Sequence, residues 1–219
     1  MEQRDGQERL ELASLREDYS RAGLEEGDLA SDPFTMFDRW MRDALGAGLY
    51  EPNAMVVATV DSAGQPAARM VLLKGVSPDG FVFFTNTGSR KGAELAANPR
   101  CGLLFPWHPL ERQVRVDGVA EPLSEEAVAA YFASRPRASR LGAWASHQSS
   151  VVRGRDELAA AYADAESRFP GEVPVPDEWG GYLVRPEAVE FWQGRPGRMH
   201  DRLVYRRTDH GWRTERLAP

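Results

Sequence analysis

The chain has 219 residues, of which 27% are charged and 42% hydrophobic, a composition that is ordinary for a globular protein. Its 27 basic and 33 acidic residues give a net charge of −6, which argues against general nucleic-acid binding because such binding depends on neutralising phosphates. The longest purely apolar run, residues 127–133, is too short to span a membrane. The single cysteine, Cys101, and an N-terminus without an apolar signal region predict a cytoplasmic protein.

The N-terminal part of the chain divides into a polar stretch and a helix. Residues 1–30 are polar and charged, and their weak helical pattern predicts an N-terminal helix or mobile arm. Asp32 and Pro33 then predict the N-cap and first residue of an amphipathic helix that ends near residues 46–48. Residues 31–219 hold no internal repeat and no flexible linker, so they are predicted to form a single domain.

The rest of the chain alternates short β-rich segments with turns and a few helices. The predicted strands are residues 54–60, 68–76, 81–86, 100–107, 112–121, 182–184, 188–193, 202–207 and 212–217. The predicted helices are residues 89–98, 124–135 and 155–169, and the predicted loops include residues 134–140 and 173–181. Because the strands are short, closely spaced and mostly joined by hairpins, they indicate a mainly β fold, an antiparallel barrel or sheet with peripheral helices.

Five short segments place basic residues beside hydroxyl, amide or aromatic residues. They are residues 69–74, 89–91, 111–115, 134–140 and 195–202. One such segment alone is most often solvated surface, but five in a net-acidic chain favour the binding of phosphorylated small molecules. Arginine presents a planar fork that matches phosphate oxygens. The four histidines have no metal-ligand spacing, so the sequence predicts no metal site.

Seven strings between residues 69 and 219 together resemble the pyridoxamine 5′-phosphate oxidase family, and the resemblance as a whole runs in order from about residue 15 to residue 219. They are RMVLLKG, FFTNTGSRKGAEL, LLFPWHPLERQVRVDG, YFASRPRASRLGAWASHQSS, VPVPDEWGGY, EFWQGRPGRMHDR and ERLAP. The resemblance implies an FMN-binding split β-barrel and a homodimer with FMN at the subunit interface. It also implies oxidation of pyridoxamine 5′-phosphate or pyridoxine 5′-phosphate to pyridoxal 5′-phosphate, with oxygen reduced to hydrogen peroxide.

The resemblance also assigns individual residues to the cofactor and the substrate. The implied FMN contacts are Arg69, Met70, Val71, Leu72, Leu73, Lys74, Phe84, Thr85, Arg90, Lys91, Gln113, Gln148, Ser149, Trp192 and Arg202. The implied substrate contacts are Arg16, Tyr19, Lys74, Tyr131, Arg135, Ser139, Arg198 and His200. Phe84 stands where the family commonly has Tyr, so any hydrogen bond from that hydroxyl is lost.

Arg198 and His200 are the catalytic candidates. Arg198 is expected to act electrostatically, because a guanidinium group does not lose its proton in proteins. His200 is expected to orient the substrate or to shuttle protons. In the same interpretation, Arg69, Arg90 and Lys91 neutralise the FMN phosphate. The substrate phosphate is held by Lys74, Tyr131, Arg135 and Ser139, and the flavin ring edges by Gln113 and Gln148.

Two other functions stay open on the sequence alone. Another split-barrel flavin or deazaflavin reductase would share the fold, and residues 134–140 and 192–202 argue against it because the family uses them for a pyridoxyl phosphate. A non-catalytic carrier of FMN or pyridoxal phosphate would share the binding residues, and the Arg198–His200 pair argues against it.

Overall fold

The computed structural model describes residues 19–20 and 23–219. The strands of this part are β1 (Ala54–Val60), β2 (Pro66–Leu72), β3 (Gly75–Ser77), β4 (Gly80–Asn86), β5 (Arg100–Trp107), β6 (Arg112–Pro122), β7 (Trp179–Gln193), β8 (Asp201–Thr208) and β9 (Gly211–Arg216). Its helices are α1 (Pro33–Gly46), α2 (Arg90–Ala97), α3 (Glu125–Ser134), α4 (Arg137–Ala145) and α5 (Arg155–Arg168). Arg16 and the predicted helical pattern within residues 1–18 lie outside the described residues. The division into an arm, residues 1–30, and one domain, residues 31–219, stays a prediction.

The strands form one antiparallel sheet in the order β2-β1-β5-β6-β7-β4-β3, with β8 and β9 branching from β7. Strand β7 is the branch point, since its first residues pair with β4, its last with β8, and most of its length with β6. The predicted mainly β fold with peripheral helices is therefore confirmed. No helix among the described residues has both the length and the apolar character needed to cross a bilayer.

Helix α1 covers the main apolar core of the sheet. The Asp32 carboxylate accepts hydrogen bonds from the backbone N–H groups of Phe34 and Thr35 at 2.9 Å each, which confirms the predicted N-cap. The buried side chains of α1 recur at helical spacing, as expected for a helix with one apolar face. Phe37 on that face meets Phe81 and Phe105 edge-on, with ring centroids 5.1 and 4.8 Å apart.

The predicted strand over residues 68–76 is wrong, because the chain changes its pairing partner after β2. The backbone N–H of Leu73 donates to the Asn53 carbonyl, whereas that of Lys74 donates to the Val82 carbonyl, both at 2.8 Å. The chain therefore leaves β1 at this point and begins to pair with β4.

The predicted break between residues 182–184 and 188–193 is also wrong, because both segments belong to the single strand β7. A register shift between Asp117 and Gly118 on β6 lets β7 continue past Pro186. The predicted loop at residues 173–181 correspondingly ends earlier, where β7 begins at Trp179.

The loop predicted at residues 134–140 is wrong for most of its length, because Ser134 ends α3 and residues 137–140 form the first turn of α4. The Pro136 carbonyl accepts hydrogen bonds from the backbone N–H groups of Ser139 and Arg140 at 2.9 and 3.1 Å, which begins helix α4. A small second core, formed by Phe132, Leu141, Ala165 and Val173, joins α4 to its neighbours α3 and α5.

Candidate active site

Basic residues of β2 and α2 converge on one buried carboxylate. Arg69 Nη2 donates to Glu94 Oε2 at 2.8 Å, and Arg90 Nε donates to Glu94 Oε1 at 2.7 Å. Glu94 is only 4% exposed, and the Thr59 hydroxyl also donates to its Oε2. The Thr59 hydrogen bond first, then the two arginines, hold the pKa of Glu94 at about 2 against the desolvation that would raise it. We call Arg69, Arg90, Lys91 and Glu94 the cationic cradle.

Lys91 points its ammonium group into the protein. Its Nζ donates to Thr85 Oγ1 at 3.0 Å and to Gln148 Oε1 at 2.5 Å. Burial lowers the pKa of Lys91, and the nearby charge of Arg69 lowers it further. The structure thus groups predicted cofactor residues from β2, β4, α2 and the loop after α4, namely Arg69, Thr85, Arg90, Lys91 and Gln148.

The start of helix α2 is built for a close turn. The Ser89 hydroxyl accepts from the Gly92 backbone N–H at 3.4 Å, which places Ser89 at the N-cap. A Cβ at Gly92 would lie 2.0 Å from the Thr87 carbonyl oxygen, so only glycine fits there. Beside this helix start, Arg90, Gln148 and Ser149 help to line a cavity of about 270 Å³.

A second group of predicted residues forms a row across three strands. Gln113 on β6 lies opposite Trp192 on β7, and Trp192 lies opposite Arg202 on β8. Arg202 donates to both carboxylate oxygens of the buried Glu190, at 2.7 and 3.2 Å, and this pairing raises the pKa of Arg202. We call Gln113, Trp192 and Arg202 the polar row. It helps to line a separate cavity of about 170 Å³.

His200 is held between aromatic rings and a backbone donor. Its ring centroid lies 4.7 Å from that of Trp192, and Tyr19 meets the His200 and Trp192 rings edge-on at 5.5 and 5.8 Å. The backbone N–H of Arg195 donates to His200 Nδ1 at 3.1 Å, so the neutral ring carries its proton on Nε2. Burial, helped by the charge of Arg198, lowers the pKa of His200.

Arg198 lies two residues before His200 in a short 3-10 helix, Pro196–Arg198. Its φ is +64°, in the left-handed region that residues other than glycine seldom adopt. Such backbone conformations persist where the surrounding structure enforces them, and they cluster at functional sites.

An ionic clamp ties the N-terminal segment to the strand residue that follows His200. Asp201 Oδ2 accepts from the Leu24 backbone N–H at 2.9 Å, and Asp201 Oδ1 pairs with Arg216 Nη1 at 2.7 Å. Arg216 Nε also pairs with Glu26 at 2.7 Å. This hydrogen bond lowers the pKa of Glu26 to about 2 and raises the pKa of Arg216. The sequence did not predict this clamp because no local pattern links residues so far apart along the chain. It did not predict the pairing of Glu94 with Arg69, 25 positions away, for the same reason.

The residues predicted to hold the substrate phosphate are spread over separate contacts. Tyr131 stacks on Phe84 with ring centroids 3.8 Å apart, and the Arg135 guanidinium lies 4.0 Å from the centre of the Trp179 ring. Arg135 Nη1 is buried without a hydrogen-bond partner among the described residues, and burial lowers the pKa of Arg135. Lys74 is exposed. Within residues 23–219, no hydrogen bond or ring contact joins Lys74, Tyr131, Arg135 and Ser139 to one another.

The remaining predicted cofactor residues of β2, and Leu73 directly after it, differ in exposure. Met70 is 58% exposed, Val71 and Leu72 are half-buried, and Leu73 is part of the core. The Leu73 side chain therefore packs inside the protein, and its backbone N–H is already used by the Asn53 carbonyl. Ser149, beside Gln148, is exposed and has a φ of +75°.

Solved structures share this architecture. The structure of PhzG from Burkholderia lata, in complex with tetrahydrophenazine-1-carboxylic acid, is 30% identical and has a TM-score of 0.86, covering 93% of this chain and all of that one. A pyridoxamine 5′-phosphate oxidase-related, FMN-binding protein from Nostoc punctiforme is 20% identical with a TM-score of 0.70, covering 87% of this chain. The second likeness concerns the fold alone. The branched sheet and these neighbours define a split β-barrel.

Sequence comparisons narrow this class to one family. Residues 41–169 match the family model described as pyridoxamine 5′-phosphate oxidase. Residues 179–219 match the pyridoxine 5′-phosphate oxidase C-terminal dimerisation region. Proteins named pyridoxine/pyridoxamine 5′-phosphate oxidase from a Nocardioides species and from Rubrobacter xylanophilus are 71% and 58% identical, each over 96% of this chain and 99% and 98% of their own length. The chain belongs to the pyridoxamine 5′-phosphate oxidase family and is an oxidoreductase.

Proposed function

We propose that this chain catalyses the FMN-dependent oxidation of pyridoxamine 5′-phosphate or pyridoxine 5′-phosphate to pyridoxal 5′-phosphate, with molecular oxygen reduced to hydrogen peroxide. Relatives at 71% and 58% identity carry the name of this activity. The observation that carries the proposal is the cationic cradle, in which the fold brings Arg69 to Arg90 and Lys91 around Glu94. We further infer a cytoplasmic location, in keeping with the buried free thiol of Cys101.

The cradle fits the phosphate group of FMN in both charge and donor type. Its three cations and one carboxylate leave two positive charges, and a phosphate monoester carries close to two negative charges at neutral pH. The free N–H groups at the start of α2 add donors of the kind that bind phosphate. Gln148, which the sequence assigned to a flavin ring edge, accepts from Lys91 of the cradle instead, so it and Ser149 would offer an amide and a hydroxyl to the phosphate.

The polar row would hold the ring end of FMN. The Gln113 amide can both donate and accept hydrogen bonds, as the edge of a flavin ring requires. The cavity at the polar row and the cavity at the cradle share no lining residue. A homodimer that sets the row of one subunit against the cradle of the other would therefore complete a site at the interface, and residues 179–219 match a dimerisation region.

The substrate phosphate would be bound by Lys74, Tyr131, Arg135 and Ser139. The strongest support comes from Arg135, whose Nη1 is buried without a partner among the described residues. A buried unpaired guanidinium N–H is costly, and an anionic ligand would satisfy it. Ser139, one turn into the basic segment at the start of α4, would add a hydroxyl donor.

His200 and Arg198 would flank the substrate carbon that is oxidised. FMN, when bound, supplies the two-electron acceptor for this carbon. His200 presents Nε2–H, because its Nδ1 already accepts from Arg195, so it can donate to a substrate oxygen or nitrogen. Arg198 keeps its proton, so it would act as a hydrogen-bond donor that positions the substrate and not as a base. Tyr19, packed on His200, would shield this side from water, and Arg16 is proposed to assist it.

The direct test is an assay of the protein reconstituted with FMN. Each phosphorylated substrate is added under air, and pyridoxal 5′-phosphate and hydrogen peroxide are measured together. We expect both products in equal amounts from either substrate, and no peroxide from unphosphorylated pyridoxine at the same concentration.

Parallel reactions separate the alternatives. Oxidation of a nicotinamide donor without turnover of the pyridoxyl phosphates would indicate a reductase, and FMN binding without peroxide would indicate a carrier. A reduced phenazine carboxylic acid serves as a third substrate, because the PhzG structure from B. lata contains a compound of this class. Preferential turnover of that compound would overturn the proposed substrate.

A further inference from the structure

Glu94 is a charged residue of the cradle that the sequence comparison with the family did not assign. It lies one turn after Arg90 on α2 and is 4% exposed. A buried carboxylate costs free energy unless charged or polar partners surround it. Its partners here are the two arginines that the proposed function assigns to a phosphate.

Glu94 uses a different oxygen for each arginine. Oε2 accepts from Arg69 Nη2 at 2.8 Å, and Oε1 accepts from Arg90 Nε at 2.7 Å. Among the contacts of residues 19–20 and 23–219, Arg90 uses only its Nε, which leaves both of its terminal nitrogens available. One carboxylate thus fixes the direction of two guanidinium groups from different elements.

Thr59 on β1 contacts both Glu94 and Arg69. Its hydroxyl donates to Glu94 Oε2 and accepts from Arg69 Nη1. Thr59 is 1% exposed, so this contact is shielded from water. Strand β1, strand β2 and helix α2 are therefore joined through one buried ionic group.

We propose that Glu94 is a positioning residue for the cofactor phosphate, holding Arg69 and Arg90 in the orientation that a phosphate monoester requires. This proposal rests on the proposed function, since it takes FMN as the phosphate ligand. Pure electrostatics predicts the opposite effect of Glu94, because its negative charge repels a phosphate. The sign of the change on neutralising Glu94 therefore distinguishes positioning from charge alone.

The test is Glu94→Gln, measured as the dissociation constants of FMN and of riboflavin, which lacks the phosphate. The Gln amide group places a donor against an arginine donor, so one of the two arginine contacts is lost. We expect FMN to bind about tenfold more weakly, as for loss of a single charge-assisted hydrogen bond, while riboflavin binding stays within about twofold. Tighter FMN binding, or equal weakening of both ligands, overturns the positioning role.

Glu187→Gln is the matched control, because Glu187 pairs with Arg100 at 2.7 Å in an exposed ion pair. It should leave both dissociation constants unchanged. If Glu94→Gln does not fold, Thr59→Val keeps the carboxylate while removing the hydroxyl that holds it. For that variant we expect FMN to bind about threefold more weakly and riboflavin binding to stay unchanged. Unchanged FMN binding in Thr59→Val would then overturn the proposal.

The wild-type protein separates this proposal from the proposed function. Inorganic phosphate should compete with FMN but not with riboflavin if the cradle binds a phosphate. If wild-type protein binds the two flavins equally and phosphate has no effect, the cofactor assignment itself fails. If the wild type prefers FMN and Glu94→Gln keeps that preference, only the role of Glu94 fails.

Discussion

The cationic cradle and the segment at residues 194–200 differ in how firmly the fold holds their charged side chains. The cradle is built on β2 and α2, and its Glu94 and Lys91 are 4% and 8% exposed. The second segment is a 3-10 turn with a left-handed Arg198 and a neighbouring Met199 that is 68% exposed. One region is organised by buried ionic contacts, and the other by backbone geometry and ring packing.

This difference agrees with the two tasks proposed for the regions. A cofactor that stays bound through many cycles gains from donors that are already oriented, because little freedom is lost on binding. A segment that faces the reacting carbon has to admit substrate and release product, so it belongs to the less tightly packed part of the fold. The comparison predicts that variants in the cradle change binding, whereas variants near His200 change turnover.

The largest expected effect is the loss of turnover in Arg198→Ala. Removing a preorganised charge at the reacting centre typically costs a factor of about 100 in kcat. We expect a fall of this order, with the dissociation constant of FMN changed by less than about twofold because Arg198 is not part of the cradle. Steady-state kinetics and flavin fluorescence measure the two quantities on the same preparation. Comparable losses of kcat and of FMN affinity would contradict the assignment of turnover to the Arg198 segment and of cofactor binding to the cradle.

Backbone strain at Arg198 needs its own control. Arg198→Gly relieves the left-handed φ of +64° while also deleting the charge. If the charge matters, both variants lose turnover equally. Recovery of kcat in the glycine variant would instead assign the effect to the backbone. Arg153→Ala, which removes an exposed arginine from an i,i+4 ion pair, should leave kcat unchanged.

The second effect concerns stability at the ionic clamp. Arg216→Ala leaves the Asp201 carboxylate, 8% exposed, with a 3.5 Å contact to Arg195 in place of its 2.7 Å partner. We expect the free energy of unfolding to fall by about 2 kcal/mol, as for loss of a charged hydrogen-bond partner. Urea unfolding measures it. On the same strand, Arg213→Ala removes a 66% exposed arginine paired with Glu215 and should cost less than about 0.5 kcal/mol. Equal effects of the two variants would mean that the clamp adds nothing beyond a surface ion pair.

Much of the fold can be predicted from local sequence patterns. The wrong predictions concern strand boundaries that depend on pairing between residues distant in sequence. The helix caps at Asp32 and Ser89 can be predicted from the sequence because the residues that form them are neighbours in sequence. The end of strand β2 at Leu72 cannot be predicted in this way, since it depends on a change of partner strand from β1 to β4. The continuity of β7 likewise depends on a bulge in β7 itself, where Glu187 is the extra residue opposite the step from Asp117 to Gly118 on β6.

The site divides in the same way. The basic residues Arg69, Arg90 and Lys91 are visible in the sequence because their type and motif are distinctive. Glu94 is not distinctive, because an acidic residue on a helix is usually solvated and only the fold shows that it is buried. Its pairing with Arg69 joins residues 25 positions apart, a contact that no local periodicity predicts.

The smallest expected effect is a change in the titration of His200, and it tests whether Arg198 and His200 act as one electrostatic unit. Burial and the Arg198 charge both disfavour the imidazolium ion, so the pKa of His200 lies below its ordinary value of 6.5. Because folding lowers this pKa, the stability that neutral His200 contributes is present above pH 6.5 and is lost as the pH falls through the folded-state pKa. NMR titration of the ring should show Nδ1 as an acceptor and Nε2 as the protonated nitrogen. Arg198→Gln should raise the pKa of His200.

Arg207→Gln is the control for this titration, since it removes an arginine six residues along β8 from Asp201, about 20 Å away in an extended strand. It should leave the pKa of His200 unchanged. If Arg198→Gln also leaves the pKa of His200 unchanged, the Arg198 charge does not act on the imidazole. Burial alone would then account for the lowered pKa of His200. If the pKa rises only in Arg198→Gln, the charge of Arg198 adds to burial in favouring the neutral imidazole, the form that can donate from Nε2.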